Sequence, residues 1–462
     1  TLGFQTAGFH PLAGVELDPF AARSHAKNFH GSLASEDPER FAVLSNARDI
    51  TKLDPADLLP QLGYGRDTNV DVIIGGPPCP AFTRVGRAKL REVHQHPNAY
   101  KQDPRWKLYL PYLRFVEDLK PAALVMENVP DLMNFGGQNL AEEIAAELDV
   151  MGYEARYTLL NAAFFGVPQM RDRFILVALD KRLGLIPEFP KPTHYVELPS
   201  GYLSSRSVAT RLLRSDDSQL ALSGVRPWND ERFVEPPLPS RHQRDAVTIG
   251  EALGDLPDCP PKPRGPRRMD ILVPYGRQAR TEYERLMRTW NGFETEDTVT
   301  AHETRSLTER DYRIFAKMKP GDDYPAAYRI AHSLYEQEVT RVGAAAAPPM
   351  RDYVPPYDPT KFPNKWRKMD PSMPARTLMA HLGKDSYTHI HYSSTQSRVL
   401  TVREAARLQS FPDGFQFEGT MNPAFRQVGN AVPPLLALAV ARSVKRQIEE
   451  GLGVQQSPGD KR

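Results

Sequence analysis

Residues 70–80 read VDVIIGGPPCP, a short apolar run that ends in two glycines, two prolines and a cysteine. An apolar run of this kind is typical of a buried parallel strand that opens into a loop. Residues 124–128, LVMEN, repeat the arrangement, because three apolar residues are followed at once by a glutamate and an asparagine. Phe174–Leu179 predicts a further strand and Leu140–Leu148 a helix. Alternating strands and helices indicate an α/β domain with a mainly parallel sheet.

The composition is that of a globular protein. The chain has 462 residues, of which 40% are hydrophobic and 25% charged, and its net charge is +2. A nearly neutral chain can bind nucleic acid only through a local basic surface. The two cysteines, Cys79 and Cys259, exclude a disulfide framework and predict a cytoplasmic protein, and no apolar stretch is long enough to cross a membrane. The sequence does not begin with Met, so we expect a fragment.

The middle of the chain differs from its two ends. Residues 187–270 are rich in proline, which predicts an irregular, extended segment without a long helix. Helical patterns return in three places, near 307–318, 402–408 and 434–449. We therefore predict an α/β domain formed by 1–192 and 397–450, an insert at 193–396 and a disordered tail at 451–462.

Polar side chains lie next to the predicted strands, and each has two interpretations. Cys79 is either a nucleophile held rigidly by its prolines or an inert buried thiol. Glu127 is either an acid that binds a base or a solvated or helix-capping residue. Arg171 and Arg173 either orient that glutamate and bind substrate oxygens or belong to a solvated run of charges.

Six segments together resemble the cytosine-5 methyltransferases that use S-adenosylmethionine, and they occur in the order of that family. Each one alone is a weak signal, whereas the ordered set is specific. The segments are VELDPFAARSHAKNF (15–29), GGPPCPAFTRVGR (75–87), ENVPDL (127–132), FGVPQMRDRFILVA (165–178), RVLTVREAARLQSFPDGF (398–415) and FRQVGNAVPPLLALAVA (425–441).

The resemblance implies a reaction. Cys79 would attack carbon 6 of a cytosine flipped out of double-stranded DNA, and Glu127 would hydrogen-bond the ring nitrogen and amino edge. Carbon 5 would then take the methyl group of S-adenosylmethionine. Arg173 would bind the cytosine carbonyl oxygen, with Arg171 in support. The further substrate-binding residues that it implies are Asn128, Thr83 and Gln169.

The resemblance also implies cofactor contacts. Residues 15–29 resemble the segment with the strand whose acidic end, Glu16 here, binds the ribose hydroxyls, and Asp49 matches the contact to the adenine amino group. Asn430 would face the methionine part. Two of these residues have another interpretation, since Asp49 suits a turn and Asn430 a helix N-cap. The remaining cofactor residues that it implies are Ile50, Pro77 and Val432.

The fold that the resemblance implies is a Rossmann-like methyltransferase sheet with a smaller, irregular target recognition domain inserted at 193–396. Residues 374–393, PARTLMAHLGKDSYTHIHYS, are typical of DNA-modifying members. We expect a monomer without a metal site, which is either a solitary enzyme or one that works in restriction-modification beside a cognate endonuclease. Two basic runs suit DNA phosphates, although each also suits a solvated surface: Lys262, Arg264, Arg267 and Arg268, and then Lys361, Lys365, Arg367 and Lys368 around Trp366.

Three departures from the family pattern keep two alternatives open. Pro80 follows the cysteine where glutamine is common, and residues 82–87, FTRVGR, resemble the branch that methylates tRNA. That branch usually carries a Cys-Phe-Thr run, which this sequence lacks, so DNA is favoured. The glycine-rich cofactor loop of the family is also absent from the sequence. The alternatives are a tRNA cytosine-5 methyltransferase and a catalytically impaired DNA-binding remnant.

Overall fold

The computed structural model describes residues 1–65, 68–77, 108–135, 137–213, 232–259, 265, 267–384 and 386–453. Its contacts divide the chain into two compact units. The first consists of Thr1–Gly166, Arg171–Asp245 and Pro434–Arg462, and the second of Val167–Met170 and Ala246–Pro433. The predicted target recognition domain at 193–396 stays a prediction.

The described residues form fifteen α-helices. They are α1 Leu2–Thr6, α2 Pro19–Phe29, α3 Leu33–Glu36, α4 Pro38–Ser45, α5 Pro55–Gln61, α6 Tyr109–Leu119, α7 Leu140–Val150, α8 Ser200–Ala209, α9 Ile249–Leu253, α10 Glu282–Arg288, α11 Glu309–Lys317, α12 Tyr324–Val342, α13 Val402–Leu408, α14 Met421–Asn430 and α15 Pro434–Gly451.

The strands lie in one larger sheet and two short ribbons. The strands are β1 Val72–Gly75, β2 Ala123–Asn128, β3 Tyr153–Asn161, β4 Asp172–Asp180, β5 His194–Tyr195, β6 Arg244–Asp245, β7 Val273–Pro274 and β8 Thr298–Val299. The four-stranded sheet has the order β1-β2-β4-β3, while β5 pairs with β6 and β7 with β8.

The fold is mixed α/β, but the expectation of a mainly parallel sheet is wrong for the described strands. Within the four-stranded sheet, only β1 and β2 are parallel, whereas β4 is antiparallel to both β2 and β3. The cause is β3, a strand that the sequence did not predict. It returns into β4 through the short connection 162–171, and a connection of that length joins antiparallel neighbours.

The sheet brings three chain segments to one edge. Gly75 at the end of β1 pairs with Met126 near the end of β2, so both parallel strands finish at the same edge. Because β4 runs the opposite way, its first residues lie there too, with Phe174 opposite Asn128. Segments that follow β1 and β2 therefore meet the segment that precedes β4.

Helix α6 fixes the end of β1. The hydroxyl of the buried Tyr112 donates to the carbonyl of Val125 at 3.2 Å and faces that of Ile73 at 3.4 Å, so it bridges both parallel strands. A Cβ atom on Gly75 would lie 2.4 Å from the Tyr112 ring. Only glycine therefore fits where β1 opens into its loop.

Several predicted elements are confirmed. Helix α13 spans the predicted residues, and the predicted helices near 307–318 and 434–449 are α11 and α15. Other expectations are wrong. The segment that leads to Glu16 is irregular rather than a strand, and its Glu16 carbonyl accepts a single amide contact, from Arg48 at 2.8 Å. The proline-rich segment contains the ten-residue helix α8, because its prolines lie outside 200–209.

The second unit has its own apolar core and a buried ionic network. Trp366 and Phe315 pack edge to face with ring centroids 5.3 Å apart. The guanidinium of the fully buried Arg407 lies between Asp255, at 2.6 Å, and Asp413, at 2.5 Å. This arrangement matches each buried charge with an opposite one, as buried charges require.

None of the helices in the described part of the chain is both long and apolar enough to cross a membrane.

Candidate active site

A largely buried ion pair joins β2 and β4 at the edge where β1 and β2 end. The Nε atom of Arg173 lies 2.6 Å from Oε1 of Glu127, and their side chains are only 12% and 15% exposed. Arg173 also donates through Nη1 to the carbonyl of Asp172 at 2.7 Å. Burial lowers the pKa of Arg173, and the Glu127 carboxylate opposes that shift. The interpretation of Glu127 as a solvated or capping residue is therefore wrong.

The segment that follows β1 is tied to the same edge. Asn128 donates through Nδ2 to the carbonyl of Pro77 at 3.1 Å, and its Oδ1 accepts the amide of Val129 at 2.9 Å. A Cβ atom on Gly76 would lie 3.1 Å from Oε2 of Glu127, so glycine leaves room for the carboxylate. Cys79, Pro80 and Thr83 lie outside the described residues.

The residues at the start of β4 are buried, which rules out a solvated run of charges. Arg171 is 1% exposed and Asp172 7%. Burial, together with the charge of Arg173, lowers the pKa of Arg171. Asp172 lies opposite Asn161 of β3, whose Nδ2 donates to Oδ1 of Asp172 at 2.8 Å. Buried side chains and their hydrogen bonds therefore hold the start of β4 in place.

Two predicted cofactor residues lie on adjacent segments of the first unit. The amide of Arg48 donates to the carbonyl of Glu16 at 2.8 Å, which brings Glu16 close to Asp49. Glu16 is exposed, and its Oε1 accepts the amide of Asp18 at 3.0 Å. Ile50 packs on the apolar clusters that also contact Ile73 of β1. The arrangement places an exposed carboxylate near an apolar surface beside β1.

Asp49 closes a turn, as one of its two interpretations predicts. Its Oδ1 accepts the hydroxyl of Thr51 at 2.7 Å and the amide of Thr51 at 3.0 Å. These hydrogen bonds from Thr51 lower the pKa of Asp49. A turn of this kind holds the carboxylate at a fixed position on the surface.

Gln169 belongs to the second unit and is fully buried. Its Nε2 lies 2.5 Å from Oε1 of Gln409, and its Oε1 accepts the amide of Leu378 at 2.9 Å. Gln409 in turn donates to the carbonyl of Ala431 at 2.5 Å. The two glutamines therefore tether the loop that follows α14.

That loop carries the last two predicted cofactor residues. Asn430 is the exposed final residue of α14, so its interpretation as an N-cap of the next helix is wrong. Val432 is half-buried. A Cβ atom on Gly429 would lie 2.5 Å from the amide nitrogen of Ala380, which means that glycine permits this helix to dock closely.

The two basic runs prove to be unequal. In the first, Arg267 donates to the carbonyl of Thr304 at 2.7 Å and Arg268 pairs with Asp270 at 2.8 Å, while Lys262 and Arg264 lie outside the described residues. In the second run, Lys368 is fully buried, and its Nζ donates to the carbonyl of Phe315 at 2.8 Å. Trp366 is buried as well, whereas Lys361 is exposed.

Sequence reasoning missed two residues of this site, Asp172 and Arg206. Arg206 on α8 lies 34 positions along the chain from Asp172 and donates to its carboxylate through Nη2 at 2.7 Å. Asp172 stands between the two predicted arginines, which is a usable signal. Arg206 lies among serines in a segment without periodic pattern, and nothing in the sequence marks it.

Known proteins resemble this chain over most of its length. Residues 1–446 match the model of the family described as C-5 cytosine-specific DNA methylase. The chain is 38% identical over 460 residues to a protein of Oceanobacillus iheyensis named as a type II methyltransferase, M.OihORF3336P, covering 97% of this chain and 94% of that one. It is 30% identical to the type II methyltransferase M.AgeI of Thalassovita gelatinovora, covering 96% of each.

A solved structure shares the fold. It belongs to a protein described as a DNA modification methyltransferase encoded within an E. coli prophage, with a TM-score of 0.61, 20% identity and coverage of 97% of this chain and 96% of that one. The chain therefore belongs to the C-5 cytosine-specific DNA methylase family and is a DNA (cytosine-5)-methyltransferase.

Proposed function

We propose that the chain transfers a methyl group from S-adenosylmethionine to carbon 5 of a cytosine flipped out of double-stranded DNA, through a transient bond from Cys79 to carbon 6. One observation carries the proposal. The Glu127–Arg173 pair lies at the edge where β1 ends, and Asn128 ties Pro77, two residues before Cys79, to that edge. A nucleophile, an acid and a cation from three segments would then surround one base.

Cys79 would act as a thiolate whose electron pair forms a bond to carbon 6 of the cytosine. Glu127 in its protonated form would donate to ring nitrogen 3 and accept from the amino group beside it, so the charge that develops on the ring is stabilised. Arg173 would hold that carboxyl group in place. Its guanidinium has five N–H donors, of which Nε and Nη1 face Glu127 and Asp172, so it can also donate to the cytosine carbonyl oxygen.

The cycle closes without a net change in the protein. Attack by Cys79 would make carbon 5 nucleophilic, and carbon 5 would take the methyl group as the bond from that group to the sulfonium sulfur breaks. Transfer of the carbon 5 proton to water would then allow the bond between carbon 6 and sulfur to break, which returns the Cys79 thiolate. Because the reacting carbons lie within the base stack of a duplex, the base has to leave the helix before this site can reach it.

The residues of the first unit fit the ribose and adenine parts of S-adenosylmethionine, which supplies an electrophilic methyl group when bound. The exposed carboxylate of Glu16 suits two ribose hydroxyl donors, and the fixed carboxylate of Asp49 suits an amino donor. Ile50 offers apolar surface for a ring. In the second unit, Asn430 and Val432 are proposed to contact the methionine part, with their loop tethered through Gln409.

The test is methyl transfer from labelled S-adenosylmethionine to duplex DNA and, in parallel, to total tRNA, with the modified nucleoside identified by mass spectrometry. We expect 5-methylcytosine in DNA, no product from Cys79→Ser and a loss of several orders of magnitude for Glu127→Gln. Cys259→Ser is the matched control, because the Cys259 thiol is buried against the carbonyl of His302. Label in tRNA instead of DNA would show that the proposed substrate is wrong. Full activity of the Cys79→Ser variant would show that Cys79 is not the nucleophile.

The names of the relatives support a role in a type II restriction-modification system. If the proposal is right, DNA methylated by this protein should resist an endonuclease encoded beside it. Cleavage of fully methylated DNA by that endonuclease would contradict the role without affecting the methyl-transfer assignment.

A further inference from the structure

Arg206 is a largely buried arginine of α8 that the reaction described above does not use. It donates to Oδ1 of Asp172 through Nε at 3.0 Å and through Nη2 at 2.7 Å. The two side chains are 11% and 6% exposed, so water screens the pair weakly. The Arg206 guanidinium also lies 5.7 Å from the centroid of the Phe164 ring. Its position is therefore fixed from two sides.

A continuous chain of contacts leads from Arg206 to the candidate acid. Asp172 receives Arg206 on its carboxylate, and its carbonyl oxygen accepts Nη1 of Arg173 at 2.7 Å. Arg173 then reaches Glu127 through Nε at 2.6 Å. Each link is a charge-assisted hydrogen bond, which is the stronger kind in proteins.

The Asp172 carboxylate and the Arg173 guanidinium leave β4 on opposite faces, so the Asp172 backbone carbonyl is the group that joins them. Asp172 directly precedes Arg173 in the chain, and its negative charge acts on the Arg173 guanidinium. In the structure that carboxylate is matched by Arg206 and by the amide of Asn161 at 2.8 Å. Without Arg206, this largely buried carboxylate would lose the cation paired with it and would shift toward water, and the carbonyl that holds Arg173 would shift with it.

We infer that Arg206 is a positioning residue for methyl transfer: by pairing with the Asp172 carboxylate it fixes the backbone carbonyl that holds Arg173 against Glu127. The inference rests on the proposed roles of Glu127 and Arg173. Arg206 touches neither the base nor the methyl donor in this scheme. Its loss should consequently change the rate of the chemical step and leave the affinity for DNA and for S-adenosylmethionine as it was.

The experiment measures single-turnover methyl transfer to DNA by the full chain. We expect Arg206→Ala to slow the step roughly tenfold to a hundredfold, because misplacing a reacting group by about 1 Å costs up to about a hundredfold. Arg206→Lys keeps the charge but has one nitrogen for two contacts, so we expect it to slow methyl transfer less than Arg206→Ala does. Arg211→Ala removes an exposed arginine just beyond α8 and is the matched control.

Two double variants separate positioning from a general loss of structure. Replacing the carboxylate as well, in Arg206→Ala/Asp172→Asn, should restore much of the rate, since a neutral amide needs no paired cation and can stay in place beside Asn161. In a Glu127→Gln background, Arg206→Ala should reduce the rate little further, because both changes act on the same chain of contacts. Thermal unfolding of each variant shows whether the comparison is made on folded protein, and Arg206→Lys serves if Arg206→Ala does not fold.

The outcomes are distinct. A wild-type protein that forms no 5-methylcytosine in DNA would overturn the proposed function itself. If the wild type is active, three results would each overturn the role of Arg206 alone. Arg206→Ala could transfer methyl groups at the wild-type rate, or its loss of rate could multiply with the loss caused by Glu127→Gln. The third such result is a loss confined to DNA affinity.

Discussion

Replacing Arg173 with lysine separates the charge of the guanidinium from its geometry. In the structure, Arg173 makes two contacts through different nitrogens, one to Glu127 at 2.6 Å and one to the Asp172 carbonyl at 2.7 Å. Lysine keeps the positive charge but has a single nitrogen, so at most one of these contacts survives with good geometry. A hydrogen bond to a charged group contributes about 1.5–3 kcal/mol. If that is lost in the transition state, the rate falls roughly tenfold to 150-fold.

The assay is single-turnover transfer of labelled methyl groups with enzyme in excess over DNA, together with a separate measurement of DNA affinity. Arg182→Lys is the control, because Arg182 pairs with Asp180 just after the same strand but is 81% exposed. We expect the control to stay within about twofold of the wild type, since exposed pairs contribute little. A wild-type rate for Arg173→Lys would refute the two-point argument. A normal rate combined with weaker DNA binding would assign Arg173 to binding instead.

Three further predictions concern stability and DNA affinity. Gly75→Ala should lower the free energy of unfolding by roughly 1–3 kcal/mol, because the new methyl group would collide with the Tyr112 ring at 2.4 Å; an unchanged Tm would contradict the packing. Burial lowers the pKa of His389 to about 4, so the unfolded chain binds more protons than the folded one between pH 6.5 and 4. Stability from this histidine, about 3 kcal/mol, should be lost as the pH falls through that window, and His389→Gln should flatten the pH dependence of unfolding. Lys361→Ala should weaken DNA binding and make the slope of log affinity against log salt concentration shallower by about 1. Lys368→Met should lower Tm and leave that slope unchanged, because Lys368 is buried.

The sequence predicted elements well where a single pattern extends over the whole element. Helix α13 and strand β4 have continuous periodic or apolar stretches with clear stops, and both formed where expected. Strand β3 was missed because its first half alternates between buried and half-buried residues while its second half is buried throughout, so neither strand pattern fills it. Helix α12 was missed although it has 19 residues, because its buried positions are few.

The candidate site was predictable to the extent that its residues lie next to strand ends. Glu127 lies near the end of β2 and Arg173 near the start of β4, and a sequence shows both positions directly. The contact between Arg206 and Asp172 has no such mark, because it depends on where α8 packs against the sheet. Contacts between residues far apart in sequence are set by tertiary packing, and a propensity or a local motif carries no information about them.

The alternation of side chains along a strand also explains why the paired arginines are two residues apart. Successive side chains of a strand point to opposite faces, so Arg171 and Arg173 share one face while Asp172 points to the other. Asp172 accordingly meets Asn161 and Arg206, whereas Arg173 meets Glu127. Two adjacent arginines could not do this, since one of them would face the core beside Phe174. The residue between the arginines is therefore free to be acidic only if the far face of the sheet supplies a cation, and in this chain α8 supplies it.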